Sequence, residues 1–298
     1  ALHLYVSPPS PSVADEIAVR FELEPTAAQV LAGGVGSGKT TEVLRALARV
    51  RETSPEDAVE YIDVTRHHRL DAELSGVLIA LAAKQAMDRL SPAVRQASDA
   101  VGLACRALSQ FADGFTEWVP FSLRWPQLSS SAEAFNLRSG LEPVTVRGVL
   151  SPPPELPAPR HASMAKHLQT LLATAPGPGR HFILAFDGLD RLPVPDFHTA
   201  VRDDLRVLKA AGIGVLIVAP SSLAFSEDRT VFDLFDRTHL RHAFDVDDPA
   251  ASAFLRQVLE RRAPAGSVTP EALTELVRGS GGFLRDLVFA QKFGASLA

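Results

Sequence analysis

The chain has 298 residues, 46% hydrophobic and 22% charged, which is enough to bury a substantial core in one large or two modest domains and excludes a disordered or fibrous class. A formal net charge of −5 argues against a generally basic surface that coats nucleic acid, leaving only a local basic patch open. One cysteine permits no internal disulfide and no cysteine-based zinc site. With no leader pattern at Ala1 and no apolar run near the ~20 residues of a membrane span, a cytoplasmic protein without a membrane partner is expected.

In chain order, residues 1–24 read as an N-terminal extension. Ala28–Ala32 is a short apolar run suited to a buried strand. It runs into Gly33-Gly34-Val35-Gly36-Ser37-Gly38-Lys39-Thr40, a complete G-x-x-x-x-G-K-[ST] pattern, after which Val43, Leu44, Leu47 and Val50 recur at helical spacing. A strand, a glycine-rich turn and a helix start in that order make a cradle for polyphosphate. The glycines let successive N–H groups turn inward, and the helix beginning near Lys39 adds its positive end. Lys39 supplies a compact cation for the β- and γ-phosphates, the Thr40 hydroxyl is placed to ligate Mg²⁺, and Thr41 is counted with the loop as cofactor-binding. A bound nucleoside triphosphate with Mg²⁺ is expected.

Val59–Val64 is the second expected strand. His67 and His68 follow it, but adjacent side chains of an extended segment point to opposite faces, which argues against a shared metal; His239 and His242, an odd number apart, fail likewise. Helices are expected around Leu74–Leu90 and Ala93–Ala112, and on the second of these Cys105 reads as a small buried residue among Val101, Leu103 and Leu108. Phe111, Phe115, Trp118, Phe121 and Trp125 then cluster, either as the private core of an inserted subdomain or as a docking or self-association surface. The proline run Ser151–Pro159 reads as an extended connector, with a partner-docking peptide as the alternative, and Ala162–Ala173 as a helix. Residues 91–160 are read as an insertion.

Phe182–Asp187 is an apolar strand ending in a carboxylate, placed to hold Mg²⁺ or its water if that strand lies beside the phosphate loop. Asp187 is assigned that role. Gly188 follows where a catalytic acid is often found, so Asp190 becomes the candidate for orienting water, against a cap or a partner for Arg191. Gly214–Ala219 and Leu240–Val246 complete five runs of parallel-strand character, the pattern of a doubly wound α/β sheet. Pro249–Arg262, Pro270–Arg278 and Phe283–Phe293 are expected helices, two with Pro in the first turn.

With the loop at 33–40, the run Phe186-Asp187-Gly188-Leu189-Asp190-Arg191-Leu192 and the helical tail, the chain resembles the AAA+/STAND group of P-loop ATPases. Asp187-Gly188-Leu189-Asp190 is similar to the Walker B element of NACHT ATPases, and Leu189-Asp190-Arg191-Leu192 to that of KAP ATPases. Gly282-Phe283-Leu284-Arg285 resembles the sensor 2 element of initiator-type AAA+ proteins. The resemblance covers roughly 25–65 and 180–298. It implies a nucleotide-binding core at 25–246, a small helical lid at 247–298, ATP as the nucleotide, and Arg285 as a lid contact to the γ-phosphate. It also implies a module that couples nucleotide state to assembly or signalling through a protein partner or self-association. Two alternatives stand beside it: an active oligomeric ATPase acting on nucleic acid or protein, and a scaffold that binds ATP without hydrolysis. Departures are Arg191 where NACHT proteins carry Glu, and Ser221 as a weak stand-in for sensor 1. Arg237 lies where many AAA+ proteins keep an arginine finger; near Asp233 and Asp236 it also reads as a solvated charge.

Overall fold

Five strands form one all-parallel sheet in the computed structural model, which describes residues 5–9, 12–71, 74–91, 99–113, 158–174, 181–226, 232–262 and 268–294. They are β1 (Ala28–Gly33), β2 (Ala58–Asp63), β3 (Phe182–Asp187), β4 (Ile213–Pro220) and β5 (Arg237–Arg241), in the spatial order β2-β3-β4-β1-β5. The three inner strands are buried along their whole length, because helices cover both faces. The edge strands are only intermittently buried and correspondingly polar.

Alternation along the strands sorts side chains between two layers. Val30, Ile62, Leu184, Phe186, Val215 and Ile217 face the larger core. It is completed by α3 (Val77–Asp88), α4 (Asp99–Asp113), α5 (Ala158–Thr174) and α6 (Val194–Ala210). Leu31, Val59, Ile183, Ala185, Leu216 and Val218 face the other layer, made by α1 (Val13–Leu23) and α2 (Lys39–Thr53). Helix α1 lies within residues 1–24, which read from the sequence only as an extension. Ala14, Ile17, Ala18 and Phe21 nevertheless make one apolar stripe at helical spacing and bury against α2.

Two polar insertions in this core are satisfied across the chain. Gln29 interrupts the apolar run of β1; its Nε2 donates to Ile17 O at 3.2 Å, and its Oε1 accepts from His239 Nε2 at 2.9 Å, which ties α1 to edge strand β5. Asp204 of α6 accepts from Gly76 N at 2.7 Å and Leu78 N at 2.9 Å, capping α3 from another helix.

The expected helices around Leu74–Leu90 and Ala93–Ala112 correspond to α3 and α4, with residues 93–98 outside the described ones. Phe111 is buried and Cys105 half-buried against the larger core; the remaining aromatics of the cluster and residues 151–157 lie outside the described residues. Helix α5 starts at Ala158, so the last two residues of the proline run are helical and not an extended connector. Pro159 in the first turn loses no helical hydrogen bond there.

The fifth strand differs from expectation, lying at 237–241 and not at 240–246. The apolar residues that suggested the later span serve another core. Phe244 and Val246 pack against α7 (Pro249–Glu260), α8 (Pro270–Gly279) and α9 (Leu284–Gly294), around Phe254, Leu255, Val258, Leu273, Val277 and Leu287. Val6 of the N-terminal segment joins the same cluster. Phe244 N donates to Gly282 O at 3.1 Å, holding the chain before α7 to the chain before α9. Gly282 has φ +82°, and a Cβ there would collide with the Phe244 carbonyl. No helix among the described residues is long and apolar enough to cross a membrane.

Burial pushes the Asp204 carboxyl from 3.8 up to about 7, against the pull of the backbone N–H groups of Gly76, Leu78 and Ile79. Between those two values the folded chain keeps a proton that the unfolded chain has released. The contribution is therefore full below 3.8 and is lost as pH rises through about 7. Asp204→Asn should flatten that part of the stability profile, measured as denaturant midpoint against pH; an unchanged slope would refute the assignment.

Candidate functional site

The glycine-rich segment fills the turn from β1 into α2, and the first turn of α2 opens into a cavity of about 640 Å³. Lys39 is 5% exposed. Its Nζ donates to Gly33 O at 2.7 Å and Gly34 O at 2.8 Å, and stands 2.9 Å from Asp190 Oδ2. The Ser37 hydroxyl is buried with no hydrogen-bond partner among the described residues. Gly36, Gly38, Thr40 and Thr41 line the cavity, where the positive end of α2 favours an anion.

Asp187 reaches this turn although β4 separates β3 from β1, so the carboxylate does not sit on the strand beside the loop. Parity explains the reach. Ile183 and Ala185 face the layer of α2, and Asp187 follows them at the strand end on the same face. Thr40 Oγ1 donates to Asp187 Oδ2 at 2.7 Å, and Tyr61 OH donates to the same oxygen at 2.8 Å. Asp187 Oδ1 accepts from Gly188 N at 2.7 Å. Tyr61 follows Val59 on the same face of β2; burial first, and then the negative Asp187, raise its phenol above the usual range. Asp63, in register with Asp187, accepts from Thr65 Oγ1 at 2.6 Å and pairs with Arg66 at 3.2 Å.

The cavity is also lined by Tyr5, Val6, Phe254, Val258, Val288 and Phe289, of which Val6, Phe254, Val258 and Val288 pack in the core of α7–α9. Arg241 and Arg262 line the cavity as well, and two ring contacts hold its surroundings. Arg45 lies 4.4 Å over the Tyr5 ring, and Arg241 lies 4.1 Å over the Phe244 ring and 3.6 Å from Glu42. Burial lowers the Arg241 pKa, opposed by the neighbouring Glu42 carboxylate. Glu42 in turn accepts from Ser12 Oγ at 3.3 Å and Ala14 N at 3.1 Å, capping α1.

Helix α9 approaches the loop directly. Arg285 N donates to Gly36 O at 3.1 Å, and the exposed Arg285 side chain lines the cavity beside Val35 and Arg191. Gly36 has φ +88°, and a Cβ there would stand 2.9 Å from Arg285 Cβ.

The structure thus brings together Gly33, Gly34, Val35, Gly36, Ser37, Gly38, Lys39, Thr40, Thr41, Asp187, Asp190 and Arg285 around one turn and one cavity. Ser221 and Arg237 are exposed and do not line that cavity, nor do His67 and His68. Asp236, expected as a neighbour of Arg237, pairs with Lys209 at 3.0 Å and accepts from Ala28 N at 2.7 Å. Tyr5, Glu42, Tyr61 and Arg241 were not singled out from the sequence; an acid in the first turn of α2 and a tyrosine in an apolar strand carry no motif of their own. No protein-family model matches the chain, and a search of curated proteins finds no significant match.

Tyr61→Phe removes one of two hydroxyl donors from Asp187 Oδ2 and should cost about 1 kcal/mol of unfolding free energy. Gly36→Ala combines left-handed backbone strain with a clash against α9 and should cost about 1–3 kcal/mol. Urea denaturation of both variants tests this, and a Gly36→Ala protein as stable as the wild type would contradict the close approach.

Proposed function

We propose that the chain is a Mg-ATP-binding module of the AAA+/STAND kind, a P-loop ATPase core with a helical lid in α7–α9, acting as a nucleotide-dependent switch for assembly or signalling. The observation that carries the reading is the convergence of Lys39, Thr40 and Asp187 at the start of α2, with Thr40 Oγ1 and Asp187 Oδ2 2.7 Å apart. A hydroxyl and a carboxylate at that separation are two hard oxygen donors of the kind Mg²⁺ takes, alongside phosphate oxygens. Supplied there, the ion would neutralise phosphate charge. Lys39 and the N-terminus of α2 would hold the β- and γ-phosphates.

The cavity supports the nucleotide reading by its polarity as well as its size. Its lining combines Lys39 and Thr40 with the apolar and aromatic side chains of Tyr5, Val6, Phe254 and Phe289, a mixture suited to a polyphosphate joined to a flat base. ATP in preference to GTP rests on the family resemblance. The contact of Arg285 with Gly36 supports a switch, since a ligand that alters the loop alters its fit to α9.

Turnover is expected to be weak. Gly188 offers no carboxylate after Asp187, and Asp190 is engaged with Lys39. That arrangement favours the scaffold alternative over a fast motor.

Lys39→Ala should lower affinity for Mg-ATP by more than about tenfold, measured by titration calorimetry on a variant whose circular dichroism matches the wild type. Unchanged affinity would refute the site.

A further inference from the structure

An ammonium group has three protons to donate, and Lys39 Nζ uses three acceptors: Gly33 O at 2.7 Å, Gly34 O at 2.8 Å and Asp190 Oδ2 at 2.9 Å. A further anion can therefore reach Lys39 only by displacing one of them. Two are backbone carbonyls of the turn itself, fixed by the path from β1 into α2. Asp190 is the acceptor that an incoming phosphate would replace.

The pair is well shielded from water, with side-chain exposures of 4% for Lys39 and 15% for Asp190. Solvent screening, which makes surface ion pairs weak, is small here. Asp190 is also held in position. It lies in a short 3-10 turn, Leu189–Arg191, anchored by the fully buried Leu189 and closed by Leu192 N donating to Leu189 O at 3.1 Å. Gly188 enters that turn at φ +93°, close against Thr65. The backbone that carries the carboxylate is thus held in place facing the lysine.

We infer that Asp190 is a specificity-determining residue, a carboxylate that competes with the terminal phosphate of the ligand for Lys39 and so weakens triphosphate binding more than diphosphate binding. The inference rests on the reading of the cavity as a nucleoside triphosphate site. Lys39 reaches both the β- and γ-phosphates, but the α- and β-phosphates are also cradled by backbone N–H groups of the loop, so the γ-phosphate loses the larger share of its contacts when Lys39 is engaged elsewhere. The γ-phosphate also brings its own negative charge against the Asp190 carboxylate. When the phosphate takes the third donor position, the Asp190 carboxylate gives up Lys39 while its turn stays anchored by Leu189.

The test is calorimetry of the full chain with Mg²⁺ and either ADP or a non-hydrolysable ATP analogue, comparing wild type with Asp190→Asn and Asp190→Ala. Asp190→Asn keeps the volume of the turn and guards against misfolding of the alanine variant. Both variants should bind the triphosphate analogue about tenfold more tightly than wild type while ADP affinity moves by less than about threefold. An unchanged ratio of the two affinities, or weaker triphosphate binding, would overturn the inference and return Asp190 to a water-orienting or purely structural role. If wild type binds neither nucleotide, the parent reading fails and this one with it; loss of triphosphate binding on Lys39→Ala with an unchanged ratio at Asp190 sinks this one alone.

Discussion

A hydroxyl from the first turn of α2 and a carboxylate from the end of β3 meet at 2.7 Å across an intervening strand, and the organisation of the molecule follows from that contact. For Thr40 and Asp187 to touch, β3 must present its odd-numbered residues to the layer of α2. Pro220 closes β4 opposite Gly33, the residue at which β1 gives way to the glycine-rich turn. The sheet order places the turn of α2, the acid of β3 and the polar edge of β2 along one rim. Open α/β sheets bind ligands at that rim, outside the carboxyl ends of the strands.

A second set of contacts ties distant segments to this rim through one buried acid. Glu42 caps α1, faces Arg241 of β5 and lies one turn into the helix that carries Lys39. Arg241 stacks on Phe244, whose ring in turn lies 4.5 Å from Phe254 of α7. The Tyr5 carbonyl accepts a hydrogen bond from Arg261 just beyond α7. The N-terminal segment, the edge strand and the C-terminal helices are therefore joined to the start of α2 by charge and ring contacts as well as by apolar packing. A buried acid such as Glu42 is tolerated because its oxygens are met by a hydroxyl, a backbone N–H and a guanidinium.

Much of the sheet was legible in the sequence because burial on both faces leaves a simple trace. Phe182–Asp187 and the run into Gly33 are continuous apolar segments with sharp ends, and they match β3 and β1 closely. The fifth strand was misplaced for a reason of the same kind: an edge strand is polar, and Phe244 and Val246 advertise a core that belongs to α7–α9. Helix α1 escaped notice because Val19 and Leu23 are exposed and blur its stripe. Within the site, the residues that belong to a contiguous motif could be read directly. Tyr61, Glu42, Arg241 and Tyr5 could not, because each acquires its position from a partner far away in the chain. Asp190 was legible as a candidate acid, but its attachment to Lys39 depends on a tertiary turn with no sequence signature.

We propose that the rim at the start of α2 takes a nucleoside triphosphate together with Mg²⁺. Titration calorimetry of the wild-type chain with ATP, run with Mg²⁺ and again with the metal chelated, tests it most directly. Saturable one-to-one binding that tightens when Mg²⁺ is present is expected. Absence of saturable binding under both conditions would contradict the proposal.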